Sequence, residues 1–402
     1  MPVLDSEIPP IPAPLHIRVD PHCGRKYHAS RALPENTDLL GSCGPYSYTI
    51  WKRFRNEVCA ECWRYDGGRR TFLTLRDDEG LGGPMPNGDA QRSSTTAGLW
   101  FCDSRCQGEW VAREGVEAVD LLRQLEAARK KTSPKPKSDA GGQQPAEGEI
   151  TREVAQRAWD VVRDKERSPK EVRKWRTLQL EDYEADMARY VLLALYRRHR
   201  EQYRNRSTSR KDSTPGPQSE EPTTATDDEP SGWQTFASLQ ANELQLLNAC
   251  PQILQHQTRI YQLLKGLLGS RAAERSNGAC EEPHLADLVT IANVRTILSV
   301  DPGNAFGIWE VPLMEESECL GFALYPVPSF FNHHCAANVR KERDGRALRF
   351  VTTRAVVAGE ELCISYGHVE AMDWATRQKE LLEGWYFECR CGRCTAEGEG
   401  AH

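Results

Sequence analysis

Apolar positions along the chain follow two periods. From residue 168 the spacing is helical. Ser168-Pro169-Lys170-Glu171 reads as a capping box with proline at the first helical position, and Val172, Trp175, Tyr183, Met187, Val191 and Leu195 then recur near 3.6 residues. A second helical region is expected from about Trp233 to Leu268. Ile253, Ile260, Leu264 and Leu267 lie on one of its faces, Pro251 breaks it and Gly269 stops it. A third helix spans about Leu285 to Leu298 and ends before Asp301-Pro302-Gly303. The last third switches to strands. Leu348 and Phe350 alternate with polar residues after Asp344-Gly345, a hairpin signal, and Val356-Val357-Ala358-Gly359 turns into a strand over Glu361 to Tyr366. An α+β chain with a core of short strands follows.

Lys131 to Glu149 and Asn205 to Gly232 have no such period. Both are rich in Pro, Ser, Gly, Thr and charge, and neither buries enough apolar surface to offset its chain entropy, so both are expected to be disordered linkers. The 402 residues are long enough for two or three compact units. Net charge is −6, which argues against a globally basic nucleic-acid binder. Arg197 to Lys211 does hold seven Lys/Arg against one Glu, and is read as a solvated helix end before an acidic linker rather than a nucleic-acid or nuclear-import patch. No apolar run approaches the ~18 residues of a membrane span. Met1 to Leu15 is Pro-rich, starts acidic and lacks an apolar segment, so no signal peptide is expected and the protein is placed in nucleus and/or cytoplasm, not secreted.

In such a compartment 14 cysteines point to metal rather than disulfides. Cys59-Ala60-Glu61-Cys62 and Cys102-Asp103-Ser104-Arg105-Cys106 supply four thiolates, the set tetrahedral zinc needs, with a polar, Gly-rich stretch between them that can loop out. Near the other end, Cys389, Cys391 and Cys394 form a CxCxxC that lacks a local fourth ligand. Cys335 in Asn332-His333-His334-Cys335 is the best candidate to complete it, with His334 as substitute, and a disulfide inside CxCxxC is the poorer reading. Cys23, Cys43, Cys250, Cys280, Cys319 and Cys363 carry no assigned role.

These motifs together resemble a known family. Leu324 to Cys335, then Gly359-Glu360-Glu361-Leu362-Cys363-Ile364-Ser365-Tyr366-Gly367, then CxCxxC, resemble the second half of a SET domain and its post-SET zinc segment. Gly24-Arg25-Lys26-Tyr27-His28-Ala29, Leu33 to Thr37 and Pro45-Tyr46 resemble the first half. The cysteine pairs ending Cys106-Gln107-Gly108-Glu109-Trp110 resemble a MYND zinc finger, and the helices with Asn304-Ala305-Phe306 resemble the insert before the second half. This order is similar to that of SET-and-MYND (SMYD-type) protein-lysine methyltransferases. It divides the chain into a first SET half (16–58), a MYND-like module (59–115), a helix (116–130), a linker (131–150), a helical insert (151–204), a linker (205–232), a helical SET insert (233–303), a second SET half (304–370) and a post-SET segment (371–397).

The resemblance implies transfer of a methyl group from S-adenosylmethionine to a lysine of a protein substrate, histone or otherwise. Tyr366 matches the tyrosine beside the reacting methyl and amine. Gly24, Arg25, Asn304, Asn332, His333 and Phe387 match cofactor contacts, and Tyr325 and Trp385 the substrate channel. Two zinc ions per chain are expected, and the MYND-like module is a candidate site for a protein partner. The departures are specific. The second CxxC and closing His/Cys of a MYND finger are absent, so that module should hold one zinc. Lys26 replaces a glycine, and Asn332 to Asn338 reads NHHCAAN. The family's C-terminal helical domain has no counterpart before His402, so a lineage without it is expected. The competing reading is a SET-derived scaffold without catalysis, and S-adenosylmethionine binding discriminates the two.

Overall fold

The computed structural model describes residues 14–20, 24–74, 96–128, 149–211, 232–275, 284–314, 316–367 and 369–399. Most of both expected linkers, together with Cys23 and Cys280, lies outside these residues.

The chain opens with an antiparallel pair, β1 (Leu15–Asp20) and β2 (Gly24–Ala29), followed by the fully buried β3 (Ser47–Ile50). A small hairpin, β4 (Leu73–Thr74) and β5 (Trp100–Phe101), leads into α1 (Ser104–Glu114) and α2 (Val116–Ala127). Then come α3 (Arg152–Glu166), α4 (Pro169–Trp175), α5 (Asp182–Lys211), α6 (Trp233–Ala237), α7 (Glu243–Ala249), α8 (Ile253–Arg275), α9 (Leu285–Leu288) and α10 (Ile291–Asn304). The last third holds β6 (Ala305–Trp309), β7 (Cys319–Leu324), β8 (Asn332–His333), β9 (Val339–Asp344), β10 (Ala347–Thr352), β11 (Cys363–Ile364), α11 (Trp374–Trp385) and α12 (Gly392–Glu399).

The expected α+β class with short strands is what the structure shows, but the helical regions divide more finely. The period from Val172 to Leu195 is shared by α4 and α5. Ser168 caps α4 by position only, since its side chain makes no capping hydrogen bond. Pro251 separates α7 from α8 as expected, whereas Gly269 does not stop α8, which continues to Arg275. Helix α5 also runs to Lys211, through the first residues of the stretch read as the second linker. The third region splits into α9 and α10, and α10 leaves helical geometry at Pro302 and Gly303. Among the described residues no helix is long and apolar enough to cross a membrane.

Strand pairing joins the two ends of the chain. The sheet β3-β7-β6 is antiparallel, with Ser47 opposite Leu324 and Leu324 opposite Ala305. Residues between His28 and Cys43 run along the C-terminal hairpin: Leu33 N–H donates to Val356 at 2.9 Å, Leu39 N–H to Phe350 at 2.9 Å and Cys43 N–H to Leu348 at 2.9 Å. Backbone groups from opposite ends of the sequence thus satisfy one another in a buried layer. Helix α5 lies against β3, with Tyr190, Val191, Ala194 and Leu195 fully buried, and Ser47 donates its hydroxyl to the Tyr190 carbonyl at 2.7 Å. The first cysteine module is packed on the same core through Trp63 and Trp110, both buried, and the Trp110 indole donates to the Tyr48 hydroxyl at 2.9 Å.

Candidate active site

Two strand residues and the segment after α11 build the site. β8 and β11 pair in parallel, Cys363 opposite Asn332 and Ile364 opposite His333. That places His333 and Tyr366 side by side, with ring centroids 5.4 Å apart. Tyr366 donates its hydroxyl to the Phe331 carbonyl at 2.8 Å, and its backbone N–H donates to His333 Nδ1 at 2.9 Å. Helix α11 ends at Tyr386 in the left-handed region (φ 64°), and the turn brings Phe387 to the same corner. Trp385 lies 5.7 Å and Phe387 6.1 Å from the Tyr366 ring, and Phe387 lies 6.0 Å from His333. Gly367 makes room: it has φ +65°, and a Cβ there would sit 3.1 Å from the Trp385 indole.

Four of the expected residues, Tyr366, His333, Trp385 and Phe387, therefore form one aromatic corner. Burial pushes the Tyr366 phenol up, so its hydroxyl keeps its proton. Burial first, then the charges of His334 and Arg377, hold His333 down at about 4, so its imidazole is neutral. Nδ1 accepts from Tyr366, which leaves Nε2 as the protonated nitrogen, 3.2 Å from Cys335 Sγ. Asn332 adjoins this corner, and its side-chain Nδ2 is buried with no partner among the described residues. A buried amide donor without an acceptor is costly, and its position marks where a ligand acceptor fits.

The other expected residues are placed differently. Arg25 reaches helix α6, donating to Ser238 Oγ at 2.8 Å and to the Ser238 carbonyl, and its guanidinium lies 4.5 Å over the Phe330 ring. Asn304 donates to the Gln240 carbonyl at 2.8 Å and the Val300 carbonyl at 2.6 Å, while its own carbonyl accepts from Ser329. Gly24 begins β2 with φ +72°. Tyr325 does not join the corner. It is fully buried in the main core, packed on Phe306, and it donates its hydroxyl to the Arg346 carbonyl at 2.6 Å. Lys26 is ion-paired with Asp20 at 3.3 Å and Glu361 at 3.2 Å. Asn338, which closes NHHCAAN, accepts from the Cys363 N–H at 2.9 Å and donates to the Glu361 carbonyl at 2.8 Å, so it fixes β11.

Both cysteine sets close. Cys335 joins Cys389, Cys391 and Cys394, and Cys59, Cys62, Cys102 and Cys106 form the other set, each with its four sulfurs within 4.8 Å of one another. His334 stays out of the second set, its Nδ1 accepting from the Ala336 N–H at 3.0 Å. The closest sulfur contacts are 3.4 to 3.8 Å. Tetrahedral zinc with bonds of about 2.3 Å separates its sulfurs by about 3.8 Å, so both sets fit that ion. No disulfide is present among the described cysteines. Without a cation the thiols compete for charge. A hydrogen bond from Cys62 holds Cys59 down at about 5, and the same bond together with burial pushes Cys62 up. A divalent ion removes that competition, which is what the donor set calls for.

Residues outside every motif support the second set. Arg377 on α11 is fully buried, donates to the Met372 carbonyl at 2.6 Å and lies 3.7 Å from Cys394 Sγ. Gln378 holds the Cys389 backbone at both ends, accepting from its N–H at 2.8 Å and donating to its carbonyl at 2.8 Å. Nothing in a helical run of mixed polarity marks either residue in advance. At the first set, Glu61 lies inside the Cys59–Cys62 turn and is buried against Arg346 of the β9–β10 turn.

Among known proteins, the family model described as "SET domain" matches residues 162–367. The chain is 25% identical over 415 aligned positions to a Saccharomyces cerevisiae protein named "Potential protein lysine methyltransferase SET6", covering 99% of this chain and 100% of that protein. It is 38% identical over 112 residues to a protein of Arabidopsis thaliana named "Histone-lysine N-methyltransferase ASHR2", covering 25% of this chain and 27% of that one. A SET and MYND domain-containing protein of Dictyostelium discoideum is 35% identical over 103 residues, covering 26% of this chain and 25% of that protein.

Proposed function

The chain belongs to the SET-domain family, in a form like the SET-and-MYND proteins, and we propose from that premise that it is an S-adenosylmethionine-dependent protein-lysine N-methyltransferase. The observation that carries the reading is the aromatic corner of Tyr366, Trp385, Phe387 and His333 beside the unpartnered Asn332 amide.

S-adenosylmethionine supplies a methyl group already activated on a sulfonium sulfur. Asn332 Nδ2 offers that cofactor a buried donor, and Phe387 offers an aromatic face. Asn304 and Arg25 at present donate to the Gln240 carbonyl and to Ser238. The chain's own work is positioning. Tyr366, Trp385 and Phe387 present ring faces that enclose an aliphatic amine side chain and exclude water. A lysine amine held among them is desolvated, which lowers its pKa toward the neutral form that attacks. Tyr366 keeps its proton and its hydroxyl stays aimed along the Phe331 carbonyl, so it orients and polarises rather than acting as a base. His333 ties this corner to metal: its Nδ1 fixes the Tyr366 backbone, and its Nε2–H faces Cys335, one of the sulfurs we assign to zinc. We assign one zinc to each cysteine set. The substrate is a lysine-bearing protein, histone or not.

Lys26, the departure that favours a scaffold without catalysis, is held by Asp20 and Glu361, which supports a structural role for it. Isothermal titration of the full chain with S-adenosylmethionine separates the readings: binding is expected, and its absence at millimolar cofactor sinks the enzyme reading. Tyr366→Phe should lower methyl transfer by at least about a hundredfold while cofactor affinity changes by less than about threefold. Equal activity in that variant removes Tyr366 from the mechanism.

A further inference from the structure

The hairpin of β9 and β10 carries a lysine where an apolar residue is expected. Leu348, Phe350 and Thr352 form the buried face of β10, and Lys341 is the register partner of Phe350, so these two share a face. Phe350 is fully buried, stacked on Phe331 at 4.9 Å, and meets the Phe306 ring at 6.2 Å. Lys341 extends over that Phe306 ring with its ammonium 5.8 Å from the centroid. Yet Lys341 is exposed. The inner face of the hairpin therefore opens to solvent there, with Phe306 as floor and Lys341 as rim.

This opening adjoins the aromatic corner. Phe331, which stacks on Phe350, is the residue whose carbonyl accepts from the Tyr366 hydroxyl. Glu370 acts electrostatically on both Lys341 and His333. Among the described residues no carboxylate lies within ion-pair distance of Lys341. An ammonium on an aromatic floor, unpaired and beside the corner where a lysine is to be held, is one half of an ion pair.

We propose that Lys341 is a specificity-determining residue that pairs with an acidic side chain next to the target lysine, so that the preferred substrates carry that lysine in an acidic segment rather than in a basic tail. The inference rests on the methyltransferase reading. A basic neighbour of the target lysine meets like charge at Lys341, and an acidic one gains an ion pair at the rim. The carboxylate of S-adenosylmethionine offers the same chemistry, and the experiment separates it from a substrate carboxylate.

The test uses the full chain and three peptides with a single lysine, flanked by Asp, Ala or Arg. Methyl transfer from labelled S-adenosylmethionine and peptide binding by fluorescence anisotropy are both read. With the wild-type chain kcat/KM should rank Asp above Ala above Arg, spanning on the order of tenfold, which is one exposed-pair attraction plus one repulsion. Lys341→Met, which keeps an apolar stem over Phe306, should flatten the ranking, and Lys341→Glu should invert it, both with unchanged cofactor affinity. A ranking that ignores the charge at position 341, or no ranking at all, overturns the proposal. A loss of S-adenosylmethionine affinity with the peptide ranking intact also overturns it and gives Lys341 to the cofactor. If no peptide is methylated but the binding order still follows the charge at 341, the subsite stands and the methyltransferase reading fails.

Discussion

Arg346→Ala is the sharpest test of how the first cysteine module is joined to the core. Arg346 sits at the β9–β10 turn with its side chain 8% exposed, between Glu61 at 3.6 Å and Glu114 at 2.7 Å. Its guanidinium also lies 4.4 Å over the Tyr48 ring and 5.9 Å from Trp63. Truncation leaves Glu61, itself 5% exposed, with Arg113 as its remaining ion-pair partner among the described residues, and Arg113 is half exposed. Removing one member of a buried pair costs about 3–5 kcal/mol, and a desolvated cation–π contact adds about 1–2 kcal/mol. The retained, half-exposed Arg113 pair offsets about 1 kcal/mol, leaving a loss of about 3–6 kcal/mol, a large share of the ~5–15 kcal/mol that ordinarily holds a domain together. Urea unfolding should show that loss as a lower midpoint with an unchanged slope. Adding Glu61→Gln should restore about 1–2 kcal/mol, because it removes the stranded carboxylate. The deficit should also depend on pH. Burial already pushes Glu61 up, and loss of the Arg346 charge pushes it further. An acid whose folded pKa lies above its unfolded value binds more protons when folded, so its stability contribution falls as pH rises. The deficit should therefore be larger at pH 8 than at pH 5. A loss below about 1 kcal/mol, or one independent of pH, would refute the assignment of this network as the joint.

Two further outcomes are expected. Gly367→Ala forces an L side chain into φ +65° and sets its Cβ 3.1 Å from Trp385, so thermal stability should fall by about 1–2 kcal/mol while kcat/KM for the lysine substrate falls through the displaced indole; an unchanged kcat/KM in that variant removes Trp385 from the lysine channel. The purified chain should carry two equivalents of zinc by elemental analysis, and Cys389→Ser should leave one and weaken S-adenosylmethionine binding, since α11 and the aromatic corner hang on that set; zinc-free protein with all thiols reactive would refute both assignments.

Much of the site was legible because its chemistry is written in short motifs. The two cysteine pairs, the CxCxxC and the asparagine-histidine and tyrosine segments needed only spacing and residue type, since four thiolates at such intervals have few other uses. The fourth ligand of the second set was open between Cys335 and His334 until the parallel pairing of β8 with β11 set the direction of that loop. Helix ends were less legible. Gly269 and the Ser168 box carry local preferences worth about 1 kcal/mol or less, and packing of α8 and α4 against neighbours outweighed them.

Period, motif and order by themselves determined the α+β class, the hairpin at Asp344-Gly345, both cysteine sets but for one ligand, and the likeness to a SET core split in sequence. Those are properties of residues near one another in the chain. What only the tertiary structure decided are relations between residues far apart. Tyr325 lies in the core apart from the aromatic corner, its ring enclosed and its hydroxyl donating to the Arg346 carbonyl. Arg25 faces Ser238, Arg346 faces Glu61, and Lys341 stands over Phe306 with no carboxylate within ion-pair distance among the described residues. A side chain's partner depends on the direction in which the backbone delivers it. In a core stitched from both ends of the chain, that direction is settled by strand register and packing rather than by local sequence.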